Sequence, residues 1–212
     1  IIFYYTVAIL SYWRVHMTSS TATRTTNHSR TLLVVQTAMF AALMMIGANI
    51  ASFLIIGGVP ITLQTFFAIL AGLLLGKRNG AIAMLVYALI GLAGLPVFAN
   101  FSGGLDTIIS PTFGFILSFI FVAYIAGFIV EKFPTKVGFV VAALAGTAFN
   151  YLFGTNWMYA AYKLWFAAPE NFSYKMAWAW MAVPLPKDLL LAVLAGLFGF
   201  RLRPILEKQK LL

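Results

Sequence analysis

The residues with the clearest potential for chemistry are two adjacent charged side chains, Lys187 and Asp188, in an otherwise apolar part of the chain. They follow Pro184 and Pro186, which mark the start of a predicted helix. An ionisable side chain is costly to place in an apolar helix, so it usually marks a functional site. Alternatively, the helix dipole stabilises Asp188 and Lys187 extends to the membrane interface. We expect Asp188 to bind a solute and Lys187 to extend to the interface.

A second group of polar residues is predicted to lie at the same end of the helices as Asp188. Some are in the helices near that end, and others are in the loops that join the helices. Each of these residues alone is also typical of an interhelical hydrogen bond. Together with Asp188 they predict a pocket with apolar walls and a few polar groups, which suits a small amphipathic solute. The predicted binding residues are Asp188, Gln64, Tyr87, Asn100, Ser102, Gly103, Gly104, Asn150, Tyr151 and Trp157.

The sequence contains no arrangement that is typical of catalysis or of metal binding. Its two histidines, His16 and His28, precede the apolar region, and it has no cysteine. Residues 72–77 lack the spacing of a phosphate-binding loop and the Ser or Thr that follows its lysine. Two carboxylates, Asp106 and Asp188, are far apart in the sequence. We therefore expect a binding protein without a metal or a cofactor, and not an enzyme.

The distribution of basic residues indicates a membrane protein and its orientation. The chain is 62% hydrophobic and 9% charged, whereas soluble domains carry roughly 25% charged residues. Six apolar stretches lie between residues 32 and 200. Basic residues in alternate gaps predict an all-α polytopic protein, a bundle of six transmembrane helices with both termini in the cytoplasm. The net charge of +9 then reflects orientation and contact with the lipid bilayer, not with nucleic acid. These basic residues are Arg24, Arg30, Lys77, Arg78, Lys132, Lys136, Arg201, Arg203, Lys208 and Lys210.

Glycines, prolines and polar stretches divide the apolar region into six predicted helices. The second reaches only about 20 Å, less than the roughly 30 Å hydrocarbon core, so part of the preceding loop must lie at membrane depth. Residues 76–80 are predicted to form a tight cytoplasmic turn. The loop at 96–111 combines polar residues with Val97, Phe98 and Phe101, which predicts a lid tucked into the outer mouth of the bundle. The predicted helices are 32–56, 62–75, 81–95, 112–130, 137–162 and 185–200.

The beginning of the chain differs from the rest. Residues 1–13 are apolar but shorter than the about 20 residues that a membrane helix needs. The dipeptide His16-Met17 is what a common cloning junction encodes at a start codon. We expect residues 1–16 to derive from a cloning vector, residues 17–31 to form a polar tail, and residues 32–212 to form one membrane domain. A peripheral interfacial helix is the alternative for the first residues.

The first predicted helix carries two small residues, Ala38 and Ala42, on one face. Small residues four apart allow a second helix to approach closely. This face either docks a partner protein or packs inside the bundle.

Several stretches of the chain match the motifs of a known family. They are residues 58–65 (GVPITLQT), 73–76 (LLLG), 91–98 (GLAGLPVF), 103–104 (GG) and 110–114 (SPTFG). Together they resemble the BioY family, the biotin-specific S components of energy-coupling factor (ECF) transporters. The resemblance extends from the first predicted helix to the C-terminus.

The resemblance implies a six-helix S component in a prokaryotic plasma membrane that captures biotin at the extracellular face. The implied partners are a transmembrane coupling subunit and two cytoplasmic ATPase subunits that use ATP, and Ala38 and Ala42 match the docking motif. The family contacts the ureido ring of biotin through a Pro-x-Asp-x-x-Lys pattern at the start of the last helix. Pro186 and Asp188 match this pattern, whereas Leu191 occupies the lysine position.

The candidate residues suit biotin chemically. Its ureido group has two N–H donors, which a carboxylate such as Asp188 can accept. Its carboxylate suits neutral donors such as Asn100, Ser102 or the backbone N–H groups of residues 103–104. Lys187 is expected to point to another side of the helix, because it precedes Asp188 by one residue. An S component for another vitamin-like solute and an intramembrane enzyme are the alternatives.

Overall fold

The computed structural model describes residues 31–50, 52, 55–56 and 58–209. The chain divides into two compact units, Ile1–Val35 and Gln36–Leu212. The described part of the first unit is the beginning of a helix at residues 31–35, and the features below belong to the second unit. The predicted vector-derived segment and all but the last residue of the predicted polar tail lie outside the described residues.

Most of the described residues are helical, which confirms the predicted all-α class. Two short strands, Ile55–Ile56 (β1) and Val59–Pro60 (β2), form one antiparallel pair in which Ile55 lies opposite Pro60. Within the described part of the chain, every helix named below except α5 is long and apolar enough to cross a membrane. The elements are α1 (Thr31–Asn49), β1 (Ile55–Ile56), β2 (Val59–Pro60), α2 (Gln64–Leu92), α3 (Phe113–Lys132), α4 (Lys136–Leu164), α5 (Tyr174–Ala182) and α6 (Leu185–Lys208).

Helix α2 is a hairpin of two helices that folds back at Gly76. The side-chain amide of Gln64 donates to the Tyr87 hydroxyl at 2.8 Å, although the two residues would be about 34 Å apart on a straight helix. Gly76 has φ 78° and ψ 174°, a conformation that glycine adopts without steric cost. The two predicted helices at 62–75 and 81–95 are therefore present. The turn predicted over residues 76–80 is tighter than expected, because Gly76 alone reverses the chain.

The contacts at Gly76 fix one end of the bundle. The Lys77 backbone N–H donates to Glu131 Oε1 at 3.0 Å, and Lys77 Nζ lies 2.8 Å from Glu131 Oε2. The guanidinium of Arg203 on α6 donates to the carbonyl of Leu73 at 3.4 Å. We call this end, where Gly76, Glu131 and Arg203 lie, the hairpin end. The opposite end, where α3 and α6 begin, is the site end.

Helix α1 ends at Asn49, seven residues before the predicted end at Ile56. The carbonyl of Gly47, which the next helical turn would need, accepts the backbone N–H of Leu63 at 2.8 Å instead. The Asn49 side chain donates to the Met45 carbonyl at 2.9 Å, which satisfies a backbone group near the helix end. The prediction at this end was wrong because a contact with a distant residue, not the local sequence, ends the helix.

Close packing of small residues holds the helices together. Helix α3 lies between α2 and α4, and α6 packs against α4 and α2. A Cβ atom added to Gly72 on α2 would collide with the backbone of Ala123 on α3. A Cβ atom added to Gly196 on α6 would lie 2.7 Å from the Val140 Cα atom on α4. The helix backbones can approach this closely because these glycines have no side chain.

The C-terminal half differs from the prediction in two places. Helix α5 was not predicted; its start is capped by Ser173, whose hydroxyl accepts the Met176 N–H at 3.3 Å. Helix α6 continues beyond the predicted end at Phe200 to Lys208. It continues because Leu202 and Leu206 pack against the hydrophobic core.

Candidate substrate cavity

A cavity of about 480 Å³ lies at the site end, between the starts of α2, α3 and α6, the middle of α4 and the loop at 97–112. This volume is within the range of small-molecule sites. Ring and aliphatic side chains such as Phe115, Ile116, Phe119 and Met181 form part of its wall. The predicted binding residues that line it are Asp188, Asn100, Ser102, Gly103, Gln64, Asn150 and Tyr151.

The charged centre of the cavity is the carboxylate of Asp188, at the start of α6. The Tyr151 hydroxyl donates to Asp188 Oδ2 at 2.7 Å. Lys187 Nζ lies 2.7 Å from Asp188 Oδ1 and donates to the Thr62 carbonyl at 2.6 Å. Side-chain exposure is 10% for Asp188 and 33% for Lys187. The pair is thus partly withdrawn from water, and each carboxylate oxygen already has one partner.

The expectation that Lys187 points away from Asp188 is wrong. Neighbouring residues do leave a helix in different directions, but the flexible four-carbon stem of lysine can reach around the first turn of α6. Thr62, at the entry to α2, supplies the carbonyl that keeps the ammonium beside the carboxylate. Leu191, at the position where the family pattern has lysine, is not among the lining residues.

Two amide side chains on the cavity wall are held by neighbouring groups. Gln64 donates to the Tyr87 hydroxyl at 2.8 Å, and that hydroxyl donates to the Val97 carbonyl at 3.0 Å. Tyr87 itself is fully buried and does not line the cavity. Tyr87 therefore fixes the direction of the Gln64 amide from behind the wall.

Asn150 on α4 is fixed in the same way. It donates to the Thr65 hydroxyl at 3.0 Å and accepts the Ser118 hydroxyl at 2.6 Å. Both neighbours are buried. Because these contacts join α2, α3 and α4, they set the shape of the cavity floor.

The loop at 97–112 forms one side of the cavity and is only partly tucked in. Phe98 is buried, and its ring meets the Tyr87 ring edge-on at a centroid distance of 5.5 Å. Phe101, which was expected inside the outer mouth, is 69% exposed. Gly104 is not among the lining residues; its N–H donates to the Gly91 carbonyl at 2.7 Å and ties the loop to α2. The loop is thus anchored at Phe98 and at Gly104, while Phe101 between them stays exposed.

The sequence of this chain matches one known protein family over most of its length. A model of the BioY family matches residues 16–208. The chain belongs to the BioY family. The resemblance predicted from the motifs is therefore confirmed.

Individual BioY relatives match over most of their length. The chain is 50% identical over 161 residues to the putative biotin transporter BioYB of Bacillus subtilis, covering 74% of this chain and 80% of that protein. It is 35% identical over 168 residues to the biotin transporter BioY of Rhodobacter capsulatus, covering 75% and 86%. The fold resembles the crystal structure of the S-component for biotin from an ECF-type ABC transporter, with a TM-score of 0.72, 24% identity, and coverage of 84% of this chain and 94% of that chain.

Some cavity residues of this BioY chain were not found by sequence reasoning, and one predicted residue lies elsewhere. Thr62, Asp106 and Lys187 line the cavity but were not predicted to bind the solute. Thr62 could have been predicted, because it belongs to the stretch at 58–65 that resembles the family. Trp157 is not a lining residue, and its ring packs edge-on against Phe113 at 5.9 Å. Within the described ranges, no group of three or more His, Cys, Asp or Glu residues is placed to hold a metal ion.

Proposed function

We propose that this chain is the substrate-binding membrane subunit, or S component, of a biotin uptake transporter. The observation that carries the proposal is the cavity with apolar and aromatic walls and one Lys187–Asp188 pair. The relatives named as biotin transporters support it. A cavity with apolar walls and a limited set of polar groups around one charged pair suits a small amphipathic solute.

The ureido group of biotin complements the pair at this centre. Asp188 accepts one ureido N–H group, and Lys187 donates to the neighbouring ureido carbonyl. A carboxylate has about four lone-pair positions, so Asp188 can bind this N–H group while it keeps Tyr151 and Lys187 as partners. The rings and aliphatic chain of biotin then contact side chains such as Phe115 and Phe119, and its carboxylate contacts Asn100 and Ser102.

In the membrane, the chain crosses six times and both termini are cytoplasmic. The two helices of the α2 hairpin supply two crossings, and α1, α3, α4 and α6 supply one each. The hairpin end carries Lys77, Lys132, Lys136 and Arg203, and this excess of basic residues supports a cytoplasmic position for it. The cavity therefore faces outward across a prokaryotic plasma membrane, where a scarce solute first arrives.

The coupling partners are a transmembrane subunit and two cytoplasmic ATPase subunits, and ATP is used by those subunits. Residues 32–212 act as one S-component domain that is not an enzyme. Ala38 and Ala42 on α1 are both exposed, so a partner helix can approach this face closely.

Isothermal titration calorimetry on the purified chain in detergent tests the proposal. Calorimetry is preferable to tryptophan quenching, because none of the tryptophans that the structure describes lines the cavity. We expect saturable binding of one biotin per chain and no binding of riboflavin or thiamine. Absence of biotin binding would refute the proposal. The second candidate function is binding of another vitamin-like solute, because Leu191 replaces the family's lysine. Binding of a control vitamin in place of biotin would favour this second function.

A further inference from the structure

The part of the loop that carries Asn100 has an unusual backbone. Asn100 and Phe101 are consecutive non-glycine residues with positive φ, 58° and 53°. Asparagine tolerates this left-handed conformation, but bulky residues such as phenylalanine adopt it rarely. Such a turn persists only where neighbouring groups hold it.

One side chain from a distant element holds the tip of this turn. The Phe101 backbone N–H donates to Asn49 Oδ1 at 2.8 Å. Asn49 lies in the last turn of α1, and its side-chain NH₂ donates to the Met45 carbonyl at 2.9 Å. These two contacts use both ends of the amide, so its orientation is fixed relative to α1.

The base of the turn is held separately, on the side of α2. The Phe98 N–H donates to the Ser102 carbonyl at 3.0 Å, which closes the turn. The Phe98 ring is buried, and it fills the space where a side chain at Gly91 would lie. Asn100 lies between this buried base and the tip that Asn49 holds, and it lines the cavity.

We infer that Asn49 is a positioning residue for the substrate site. By accepting the Phe101 N–H, it holds the left-handed turn that presents Asn100 to the cavity. Asn49 does not itself line the cavity, so it acts through Asn100. The inference rests on the proposed function, because a displaced turn would alter biotin binding through the contact between Asn100 and biotin.

The test uses Asn49→Ala, with Asn156→Ala as the matched control. Asn156 on α4 makes the same kind of bond to the preceding turn, donating to the Leu152 carbonyl at 2.7 Å. Its side-chain oxygen accepts the Tyr174 hydroxyl at 3.3 Å, a partner that lies outside the loop at 97–112. Two measurements are made on each purified chain: hydrogen exchange of the peptide that contains residues 98–104 without biotin, and the biotin affinity by calorimetry.

We expect Asn49→Ala to speed amide exchange in the 98–104 peptide and to weaken biotin binding by about threefold to tenfold, the range of one hydrogen bond. Asn156→Ala should change neither quantity. In a chain that already carries Asn100→Ala, the Asn49→Ala substitution should cause no further loss of affinity. A residue that only supports the overall fold would instead lower affinity in both backgrounds.

The outcomes separate the two proposals. If the unmodified chain does not bind biotin, the proposed function fails, and the exchange measurement still tests whether Asn49 holds the turn. If the amides of the 98–104 peptide exchange equally fast in the Asn49→Ala and Asn156→Ala chains, the contact of Asn49 with the turn has no effect and the inference is refuted. If the affinity losses of Asn49→Ala and Asn100→Ala add in the double variant, the positioning role through Asn100 is refuted.

Discussion

Replacing Asp188 with asparagine tests the charged centre of the cavity most directly. The substitution keeps the shape of the side chain but removes its charge and turns one acceptor into a donor. The ion pair between Oδ1 and Lys187 is then lost. Of the two carboxylate oxygens, the one replaced by the NH₂ group can no longer accept a hydrogen bond from Tyr151, Lys187 or biotin. A biotin N–H that meets this amide loses a charged acceptor in a partly water-free site.

The magnitude follows from the type of contact and its exposure. A hydrogen bond to a charged group contributes about 1.5–3 kcal/mol, so biotin affinity should fall by about 10-fold to 150-fold. The Asp188 side chain is 10% exposed, so water replaces little of this loss. Lys187 is 33% exposed, and Lys187→Met should therefore weaken binding less, by about threefold to tenfold.

Calorimetry on purified variants measures both effects. The matched control is Glu207→Gln, which removes a carboxylate from another ion pair on α6, with Arg203, at the hairpin end. We expect this control to bind biotin like the unmodified chain. Binding of biotin to Asp188→Asn within twofold of the unmodified chain would refute the assignment. A larger loss for Lys187→Met than for Asp188→Asn would transfer the main role to the lysine.

Three further predictions concern topology, coupling and packing. The chain has no cysteine, so a thiol at Ser102→Cys should react with an impermeant reagent outside intact cells and one at Asn79→Cys should not; the reverse pattern would invert the topology. Ala42→Trp should leave biotin affinity unchanged but prevent biotin uptake by cells that contain the coupling subunits, whereas loss of affinity would place this face inside the bundle. Gly72→Ala should destabilise the chain by about 1–3 kcal/mol through overpacking, seen as a lower melting temperature in detergent. Gly199→Ala is its control, since the nearest atoms to a Cβ there are side-chain atoms at 3.1–3.3 Å, and equal effects would contradict the packing argument.

The elements that could be predicted are those that the local sequence determines. Apolar stretches with basic flanks predicted the helices, and Gly76 marked the reversal between two of them. Helix α1 was predicted too long, because its end depends on a hydrogen bond between Gly47 and Leu63. These residues belong to different elements, so the local sequence around Gly47 does not indicate the contact. Helix α6 was predicted too short, because basic residues after Phe200 suggested solvent while Leu202 and Leu206 still face the core.

The residues of the candidate site divide in the same way: those that the local sequence marks could be predicted, and those that depend on distant contacts could not. Asp188 was identified because a carboxylate in an apolar helix is costly wherever it lies. The place of Lys187 could not be predicted, since it depends on the Thr62 carbonyl, which only the folded chain brings within 2.6 Å. Asn49 gave no signal either, because the predicted helix continued past it to residue 56 and because its partner is the backbone N–H of the distant residue 101.

If the two helices of the α2 hairpin cross the membrane as proposed, their short length should affect the lipid around the protein. At about 1.5 Å per residue, residues 64–75 reach about 18 Å and residues 77–92 about 24 Å, both less than a hydrocarbon core of about 30 Å. Helices shorter than the core cause the bilayer to thin locally, at a cost of fractions of a kcal/mol per Å of mismatch. Acyl-chain length should therefore alter the stability of the protein, and bilayers of shorter lipids should match the hairpin more closely than thick, sterol-rich ones.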